Sequence, residues 1–399
     1  MMLPGTHHPQ PCRGRVVVWG LLAAYPFGGM AWQVLHYLAG LRRLGFDAWY
    51  VEDSDRYLLS ADDFSRTRDC DANVEFLARH MEAIGLGQRW VFRQPHSRTA
   101  YGALDFAGLR QLYADAEAVF NLCGAQELLP WHDAVRCLVY VQTDPVHDQV
   151  RVASGDQEKI AELDRYRHLF TYGENLGEPD CLVPIERYRW HKTRPPVCVD
   201  WWEGPPPADD APLTSVLKWQ HEAKDVHWRG TTWHWSKHLE FQRFISVAED
   251  AAMPLELAIS AVPAGDLEEL HARGWRTRPS SSVADPAAYR EYIRGSRGEF
   301  TAAKEQYVAP RSGWFSDRSV CYLASGRPVI TQETAFSKYV PVGEGLFAFE
   351  TVEGARAAID AVGADYVRHS SRAGEIARAY FGAERVLADM MSVVESVAV

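Results

Sequence analysis

Short apolar segments alternate with longer segments of helical periodicity along most of this chain. Residues 15–19 (Arg-Val-Val-Val-Trp) form the first apolar run, residues 30–44 carry apolar side chains at helical spacing, and residues 48–51 form the next run. A continuous apolar run predicts a strand that is buried on both faces. Strands separated by helices predict parallel pairing, because the crossover helix returns the chain to the same edge of the sheet. The alternation therefore predicts an α/β fold built on parallel sheets.

The same alternation continues through the first half of the chain. It predicts helices at 74–84 and 109–116, and strands at 89–92, 118–122, 136–141 and 168–172. Residues 193–212 then combine runs of proline with two adjacent aspartates and show no periodicity, which predicts a linker. A second α/β unit follows, with a predicted first strand at 213–217 and a predicted first helix at 236–250.

A chain of 399 residues suits two domains of about 150–200 residues each. We expect a flexible leader at 1–14, an N-terminal Rossmann-like domain at 15–192, a linker at 193–212, a second Rossmann-like domain at 213–374 and a C-terminal helix at 375–399.

Composition narrows the range of partners and locations. The net charge of -11 argues against a nucleic-acid partner, since phosphate contacts need clustered Lys and Arg. No run approaches the ~20 apolar residues that a membrane-spanning helix needs, and the first residues lack the apolar core of a signal peptide. The cysteines form no CxxC pair, which favours reduced thiols in the cytoplasm and predicts no metal site. The oligomeric state stays open.

The most informative segment is residues 311–332, with the sequence RSGWFSDRSVCYLASGRPVITQ. Ser316 is a favourable N-cap, Asp317 suits the positive end of a helix, and Arg318 and Ser319 fall in the first turn. Free amides at a helix start, beside a glycine-containing loop and arginines such as Arg311, form an anion site that fits a nucleotide diphosphate. The alternative, that these residues only cap and solvate a helix, stays open.

This segment is similar to the donor-phosphate region in the C-terminal domain of GT-B glycosyltransferases, and so is the Gly-x-Pro-Val-Ile at 326–330. The loop Phe27-Gly28-Gly29 resembles the glycine loop after their first strand, which places Gly28 and Gly29 on the acceptor side. The resemblance implies two Rossmann-like domains with a C-terminal helix that crosses back to the N-terminal domain. It also implies transfer of a sugar from a UDP-, dTDP- or GDP-sugar to an acceptor hydroxyl or amine, with no metal and no cofactor besides that co-substrate.

The resemblance also suggests where donor-binding cations lie. In that family, phosphate-binding Lys and Arg come from the early part of the C-terminal domain, which here points to Lys218 and Lys237, with Lys304 and Arg311 as further candidates. Each could instead be a solvated surface residue. The nucleobase would contact residues 275–277. The acidic pair of many retaining members is missing, because residues 320–324 read VCYLA, so the stereochemistry stays open.

Candidates for a catalytic base follow two predicted strands. Asp144 and His147 come directly after the strand at 136–141, and Glu174 follows the strand at 168–172 on the acceptor side. Carboxylates and imidazoles at the carboxyl ends of strands suit proton transfer from a hydroxyl group. Asp144 could equally form an Asx-turn before Pro145.

Two other functions remain compatible with the sequence. A sugar-nucleotide 2-epimerase of the same fold would break the same C–O bond without an acceptor. A non-catalytic protein that binds nucleotide sugars or polysaccharides would need no base. The chain lacks a GxGxxG after its first strand, a P-loop and a recognisable Ser-His-Asp arrangement, which disfavours dehydrogenases, P-loop enzymes and serine hydrolases.

Overall fold

A computed structural model describes Leu3 and residues 13–60, 64–185, 187–221 and 224–396 of the chain. Most of the leader expected at 1–14 lies outside the described residues, as do the last three residues of the expected C-terminal helix.

The first half of the chain forms an eight-stranded sheet in the order β10-β9-β8-β7-β1-β2-β5-β6. Its strands, with a separate pair β3–β4, are β1 (Arg15–Trp19), β2 (Asp47–Glu52), β3 (Leu58–Leu59), β4 (Arg66–Thr67), β5 (Trp90–Arg93), β6 (Ala100–Gly102), β7 (Ala118–Leu122), β8 (Leu138–Gln142), β9 (His168–Thr171) and β10 (Trp190–Lys192). The helices of this half are α1 (Gly28–Arg43), α2 (Asp71–Ala83), α3 (Phe106–Asp115), α4 (His147–Ala153) and α5 (Gln157–Leu163). All pairs in the sheet are parallel except β5–β6.

The second half forms a six-stranded parallel sheet in the order β15-β14-β11-β16-β17-β18. The strands of this half are β11 (Leu213–Lys218), β12 (Val226–Trp228), β13 (Thr231–Trp233), β14 (Leu255–Ser260), β15 (Arg276–Pro279), β16 (Gly298–Thr301), β17 (Val329–Gln332) and β18 (Leu346–Phe349). Its helices are α6 (His238–Gln242), α7 (Ala264–Ala272), α8 (Pro286–Arg294), α9 (Glu305–Val308), α10 (Asp317–Ala324), α11 (Val352–Ala364), α12 (Tyr366–Ile376) and α13 (Ala383–Glu395).

In each sheet the first strand in chain order lies in the middle, and this determines where a ligand can bind. The chain winds outwards from β1 in one direction and then resumes at β7 on the other side, and it does the same from β11 to β16. Loops that follow such neighbouring strands diverge, which opens a crevice at their carboxyl ends. The α/β class and the two Rossmann-like sheets expected from the sequence are confirmed.

One prediction about local structure is wrong. The helix expected at 236–250 is broken into α6 and a 3₁₀ segment, Ile245–Glu249. Ahead of it, Trp228 and Trp233 lie on the two strands of the hairpin β12–β13. The hairpin turns through Arg229 and Gly230, which both have positive φ (50° and 83°), as a two-residue type I′ turn requires.

The C-terminal helix α13 packs on α1 of the first sheet, as the resemblance implies. Gly40 of α1 is in such close contact that a Cβ there would lie 2.5 Å from Leu387 Cδ1 and 2.9 Å from Ala383 Cβ. The segment between the sheets also packs tightly, because Trp201 and Trp202 are buried against Trp32 of α1.

Candidate functional site

The carboxyl ends of the two sheets face each other across a cleft between the two halves of the chain. Its wall from the first half includes Asp144 and His147, and its wall from the second half includes Lys224 and Trp235. Such a crevice at the ends of parallel strands is where α/β proteins bind their ligands.

An ion pair joins the two halves at this cleft. Asp144 follows β8, Lys304 follows β16, and the Lys304 ammonium donates to Asp144 Oδ1 over 3.2 Å. The Tyr307 hydroxyl donates to the same oxygen and lies 3.1 Å from Lys304 Nζ. Burial alone would raise the pKa of Asp144, but Lys304 and the Tyr307 hydroxyl hold it below its usual value. Asp144 is therefore a carboxylate in the free protein.

An indole face supports the ammonium of this pair. Lys304 Nζ lies 3.1 Å from the centre of a Trp235 ring, an arrangement typical of a cation–π contact. The Lys304 side chain is only 17% exposed. Burial lowers the pKa of Lys304 to about 8, and the charge of Asp144 limits the decrease. This lysine loses its proton at a much lower pH than a solvated one.

The loop after Asp144 has a backbone conformation that few residues adopt. Val146 has φ of 89°, although its branched side chain disfavours positive φ. Val146 is buried between the halves with Val226 and Trp233 of the β12–β13 hairpin. This packing compensates for the unfavourable conformation, and such local strain is common at functional sites.

Beneath the cleft, Arg318 and Lys237 meet at the Thr301 hydroxyl, and Arg318 also pairs with the Glu299 carboxylate. Arg318 donates to Glu299, to the Val216 carbonyl over 2.8 Å and to Thr301 Oγ1 over 3.0 Å. Lys237 Nζ also donates to Thr301 Oγ1, over 3.1 Å. Lys237 and Glu299 are 7% and 0% exposed. Burial and then the charge of Arg318 shift the pKa of Lys237 well below its usual value.

Helix α10 begins at the edge of this cluster and is capped as the sequence predicts. The Ser316 hydroxyl accepts from the Arg318 amide over 3.2 Å, and Asp317 Oδ2 accepts from Gln33 of α1 over 3.1 Å. Burial, followed by the charge of Asp144, raises the pKa of Asp317. Ser319 is fully buried. The start of α10 therefore lies between the two halves, close to Asp144.

Further cations follow β11. Lys218 is exposed at the end of that strand, and Lys224 lies in the loop beyond it with its ammonium 4.7 Å from the Trp235 ring centre. Burial, together with the charges of Lys218, Lys304 and Lys224, lowers the pKa of His221 to about 4. The positive charges of three lysines therefore act on this histidine.

The structure brings only some of the predicted site residues together. Lys218, Lys237, Lys304, Asp144, His147 and the α10 start at Ser316, Asp317, Arg318 and Ser319 surround the cleft or its floor. The Arg318 guanidinium, expected to contact phosphate, instead makes most of its contacts with the sheet. His147 lies beside Asp148, with Nδ1 3.8 Å from Asp148 Oδ1.

Two predicted residues lie in ion pairs away from the cleft. Arg311 Nε donates to Asp180 Oδ2 over 3.0 Å, which links the two halves at another point of their interface. Glu174 accepts from Arg194 through both oxygens, over 2.6 and 2.8 Å, and is 8% exposed. Arg311 and Glu174 therefore each have an ion-pair partner within the protein, and their roles as a diphosphate ligand and an acceptor contact stay predictions. Their partners are distant in sequence, so nothing in the sequence indicated these pairs.

The expected acceptor glycines contact the other half of the chain. The Gly28 amide donates to the Ala284 carbonyl over 2.7 Å. A Cβ on Gly28 would lie 2.7 Å from Tyr289 Cβ, and one on Gly29 would lie 3.7 Å from the Tyr289 hydroxyl oxygen. Gly28 therefore permits close packing of α1 against α8, whereas Gly29 lines a small cavity together with Asp317 and Arg318.

Two functional candidates, Glu299 and Tyr307, were missed. Glu299 pairs with Arg318, and Tyr307 donates to Asp144 at the cleft. Within the segment 275–277, where a nucleobase contact is predicted, Trp275 is 2% exposed and donates to the Ile245 carbonyl in the core, whereas Arg276 is exposed.

Across the described part of the chain, no group of three or more His, Cys, Asp or Glu side chains could hold a metal ion. Within the same described residues, no helix is long and apolar enough to cross a bilayer.

Comparison with known proteins identifies the fold. The sequence matches no protein-family model, and no curated protein matches it. Its structure resembles Anabaena HepE in complex with UDP (TM-score 0.52, 13% identity, covering 96% of this chain and 100% of HepE). It also resembles an alpha-glucosyltransferase in complex with UDP and DNA (TM-score 0.59, 10% identity, covering 96% of this chain and 99% of that enzyme). A third similar structure is sucrose-phosphate synthase from Thermosynechococcus elongatus (TM-score 0.55, 11% identity, covering 96% of this chain and 99% of the synthase). The chain therefore has the GT-B fold, the two-domain fold of these nucleotide-sugar-dependent glycosyltransferases.

Proposed function

We propose that this protein is a glycosyltransferase that moves a sugar from a nucleoside-diphosphate sugar to a hydroxyl or amine of a small molecule or glycan. The observation that carries the proposal is the set of basic side chains beneath the cleft. Arg318 pairs with Glu299, whereas Lys237 donates to Thr301 Oγ1 and has no carboxylate within ion-pair distance among the described residues. A buried lysine without an acidic partner is costly to charge unless an anion neutralises it.

A diphosphate would supply the missing negative charge. It would lie between Lys237, Lys218 and Lys304, at the start of α10. The helix dipole also favours an anion there. Arg318 would act on the diphosphate site indirectly, because it holds Glu299 and Thr301 in place beneath the cleft. We propose that residues 213–374 bind the donor in this way and that residues 15–192 bind the acceptor.

In the proposed reaction, the acceptor oxygen or nitrogen forms a bond to the anomeric carbon of the sugar. The bond between that carbon and the diphosphate oxygen breaks, and its electron pair leaves with the diphosphate. The cations of the site stabilise the charge that develops on this leaving group. For an inverting reaction, the acceptor proton would pass to Asp144, with His147 as the second candidate base.

Two similar structures support UDP as the first nucleotide to test. HepE was determined with UDP-glucose, and the alpha-glucosyltransferase was determined with UDP. We propose further that transfer requires no metal ion. Transfer that continues undiminished in excess EDTA would agree with this, and loss of transfer that Mg²⁺ restores would contradict it.

The proposal is tested by calorimetric titration of UDP, dTDP and GDP into the protein. We expect one of them to bind, and Lys237→Met to weaken that binding by about 1–3 kcal/mol, since a charge-assisted contact is lost. Arg89→Met is the control, because it removes a cation that precedes β5 and pairs with Asp47 at the opposite edge of the first sheet from the cleft. Circular dichroism and thermal unfolding should show that both variants fold.

Equal binding by wild type and Lys237→Met would contradict the assignment of the diphosphate site. An assay with the matching nucleotide sugar then separates the functions. Transfer to an acceptor supports a glycosyltransferase, conversion of the donor alone indicates a 2-epimerase, and binding without any reaction indicates a binding protein.

A further inference from the structure

We propose that Asp144 takes the place of the donor phosphate on Lys304 in the free protein, so that donor binding releases Asp144 and must precede acceptor binding. This inference rests on the proposed function and concerns the order in which the site is filled. Asp144 then responds to the donor before it contacts the acceptor.

The first observation is the arrangement around Lys304. Its ammonium donates to Asp144 Oδ1 over 3.2 Å and approaches the Tyr307 hydroxyl at 3.1 Å. Trp235 covers another side, with its ring centre 3.1 Å from Nζ. With these sides occupied, a phosphate oxygen that approaches Lys304 has to compete with the Asp144 carboxylate.

The second observation is the proximity of Asp144 to the start of α10. The negative charge of Asp144 contributes to the raised pKa of Asp317, the first residue of that helix. A diphosphate at the same helix start would experience the same repulsion. Asp144 therefore opposes donor binding twice, because it neutralises Lys304 and adds a negative charge near the helix.

Release of Lys304 changes what Asp144 can do. Its side chain is 42% exposed and faces the cleft, and it follows β8 in the half of the chain opposite to Lys304. Once Lys304 pairs with a phosphate, the carboxylate loses its strongest partner. It can then accept a hydrogen bond from an acceptor hydroxyl, which it cannot do as well while Lys304 and Tyr307 hold it. This explains why a donor would have to bind first.

The test is UDP titration by calorimetry, with GDP and dTDP in parallel, at pH 6.5, where Lys304 is protonated. Asp144→Asn removes the competing charge but preserves the size of the side chain. We expect it to bind the nucleotide about two- to fivefold more tightly than wild type, the range measured for partly exposed ion pairs. Removal of a residue from a binding site usually weakens binding, so tighter binding is specific to this proposal.

Two controls make the result specific. Asp115→Asn also removes one negative charge and an ion pair, with Arg15 at the start of β1, but at the opposite edge of the first sheet from the cleft, so it should leave affinity unchanged. In a Lys304→Met background, Asp144→Asn should gain clearly less affinity than in wild type, because the competition acts largely through Lys304.

Unchanged or weaker nucleotide binding by Asp144→Asn, with normal binding by wild type, would overturn this inference and leave the proposed function intact. An equal gain in the Lys304→Met background would also overturn it. If none of the three nucleotides binds to wild type or to either variant, the proposed function itself fails.

Discussion

Gly313 and Asn175 meet so closely across the interface between the two domains that a Cβ at position 313 would lie 2.3 Å from the Asn175 backbone nitrogen. The Asn175 amide donates to the Ser312 carbonyl over 3.1 Å, and its side chain donates to the Arg311 carbonyl over 2.8 Å. Lys338 donates to Asn175 and to Asp180, over 2.9 and 2.7 Å. This contact fixes the closed arrangement of the domains about the cleft.

Gly313→Ala should therefore disrupt the interface. Residue 313 has φ of 77°, so alanine is disfavoured by the backbone as well as by the close contact. We expect the free energy of unfolding to fall by about 2–4 kcal/mol, measured by urea denaturation. Nucleotide binding should also weaken, because fewer molecules hold the closed arrangement.

The glycine at 343 gives a matched control for this variant. Gly343 also has positive φ (102°), but a Cβ there would meet no atom within 4 Å. Gly343→Ala should lower the free energy of unfolding only through the disfavoured backbone conformation, by about 1–2 kcal/mol. It should leave nucleotide affinity unchanged. Equal losses in the two variants would show that the contact with Asn175 contributes nothing.

Nucleotide affinity should depend on the protonation of Lys304. Burial lowers the pKa of Lys304 to about 8, while Asp144 and Asp317 act to raise it and Lys224 acts to lower it. A bound diphosphate stabilises the protonated form. The affinity is therefore fully present below pH 8 and should fall as the pH rises above it, since the free lysine must then take up a proton to bind.

Titration of the nucleotide between pH 6.5 and 9.5 measures this dependence. Lys304→Arg is the control, because a guanidinium stays charged throughout that range. Its affinity should vary less with pH than that of wild type. The same decline in both proteins would mean that another group titrates.

Glu299→Gln should destabilise the protein, because it removes the negative charge beneath the cleft. Without this carboxylate, the buried Arg318 guanidinium loses its ion-pair partner, a change that typically costs about 3–5 kcal/mol. We expect a large loss of thermal stability. Because a diphosphate would replace the missing charge, a saturating nucleotide should raise the melting temperature of this variant more than that of wild type.

Glu256→Gln provides the comparison. Glu256 lies on β14 of the same sheet and pairs with Arg278, whose side chain is 45% exposed. Such a partly solvated pair contributes about 0–1 kcal/mol, so this variant should unfold almost like wild type. A nucleotide-induced shift in Glu299→Gln that is no larger than in wild type would contradict the placement of the diphosphate.

Parts of the structure that depend on neighbouring residues were predictable. The apolar run at 15–19 forms β1, and Ser316 caps α10 through the Arg318 amide. The helix expected at 236–250 was not, since its apolar spacing is interrupted by a 3₁₀ turn that packs Ile245 and Val247 into the core. There, tertiary packing overrides a local preference.

The chemistry of the site was only partly predictable. Sequence position indicated Lys237 and Lys304 as candidate cations but did not distinguish them from Arg311, which pairs with Asp180 elsewhere. Nothing in the sequence indicated a role for Glu299 at the site, because a single acid inside an apolar strand resembles a residue of an edge strand. It became recognisable only through its bond to Arg318.

The sequence by itself determined the alternation of strands and helices, the parallel sheets and the cap of α10, because backbone hydrogen bonds and side-chain periodicity involve residues near each other in the chain. Only the tertiary structure decided that Asp144 and Lys304, which are 160 positions apart, form a pair at the cleft. It also decided that Arg318 faces the sheet. Charge interactions depend on distance and burial, and both are determined by how the two domains pack.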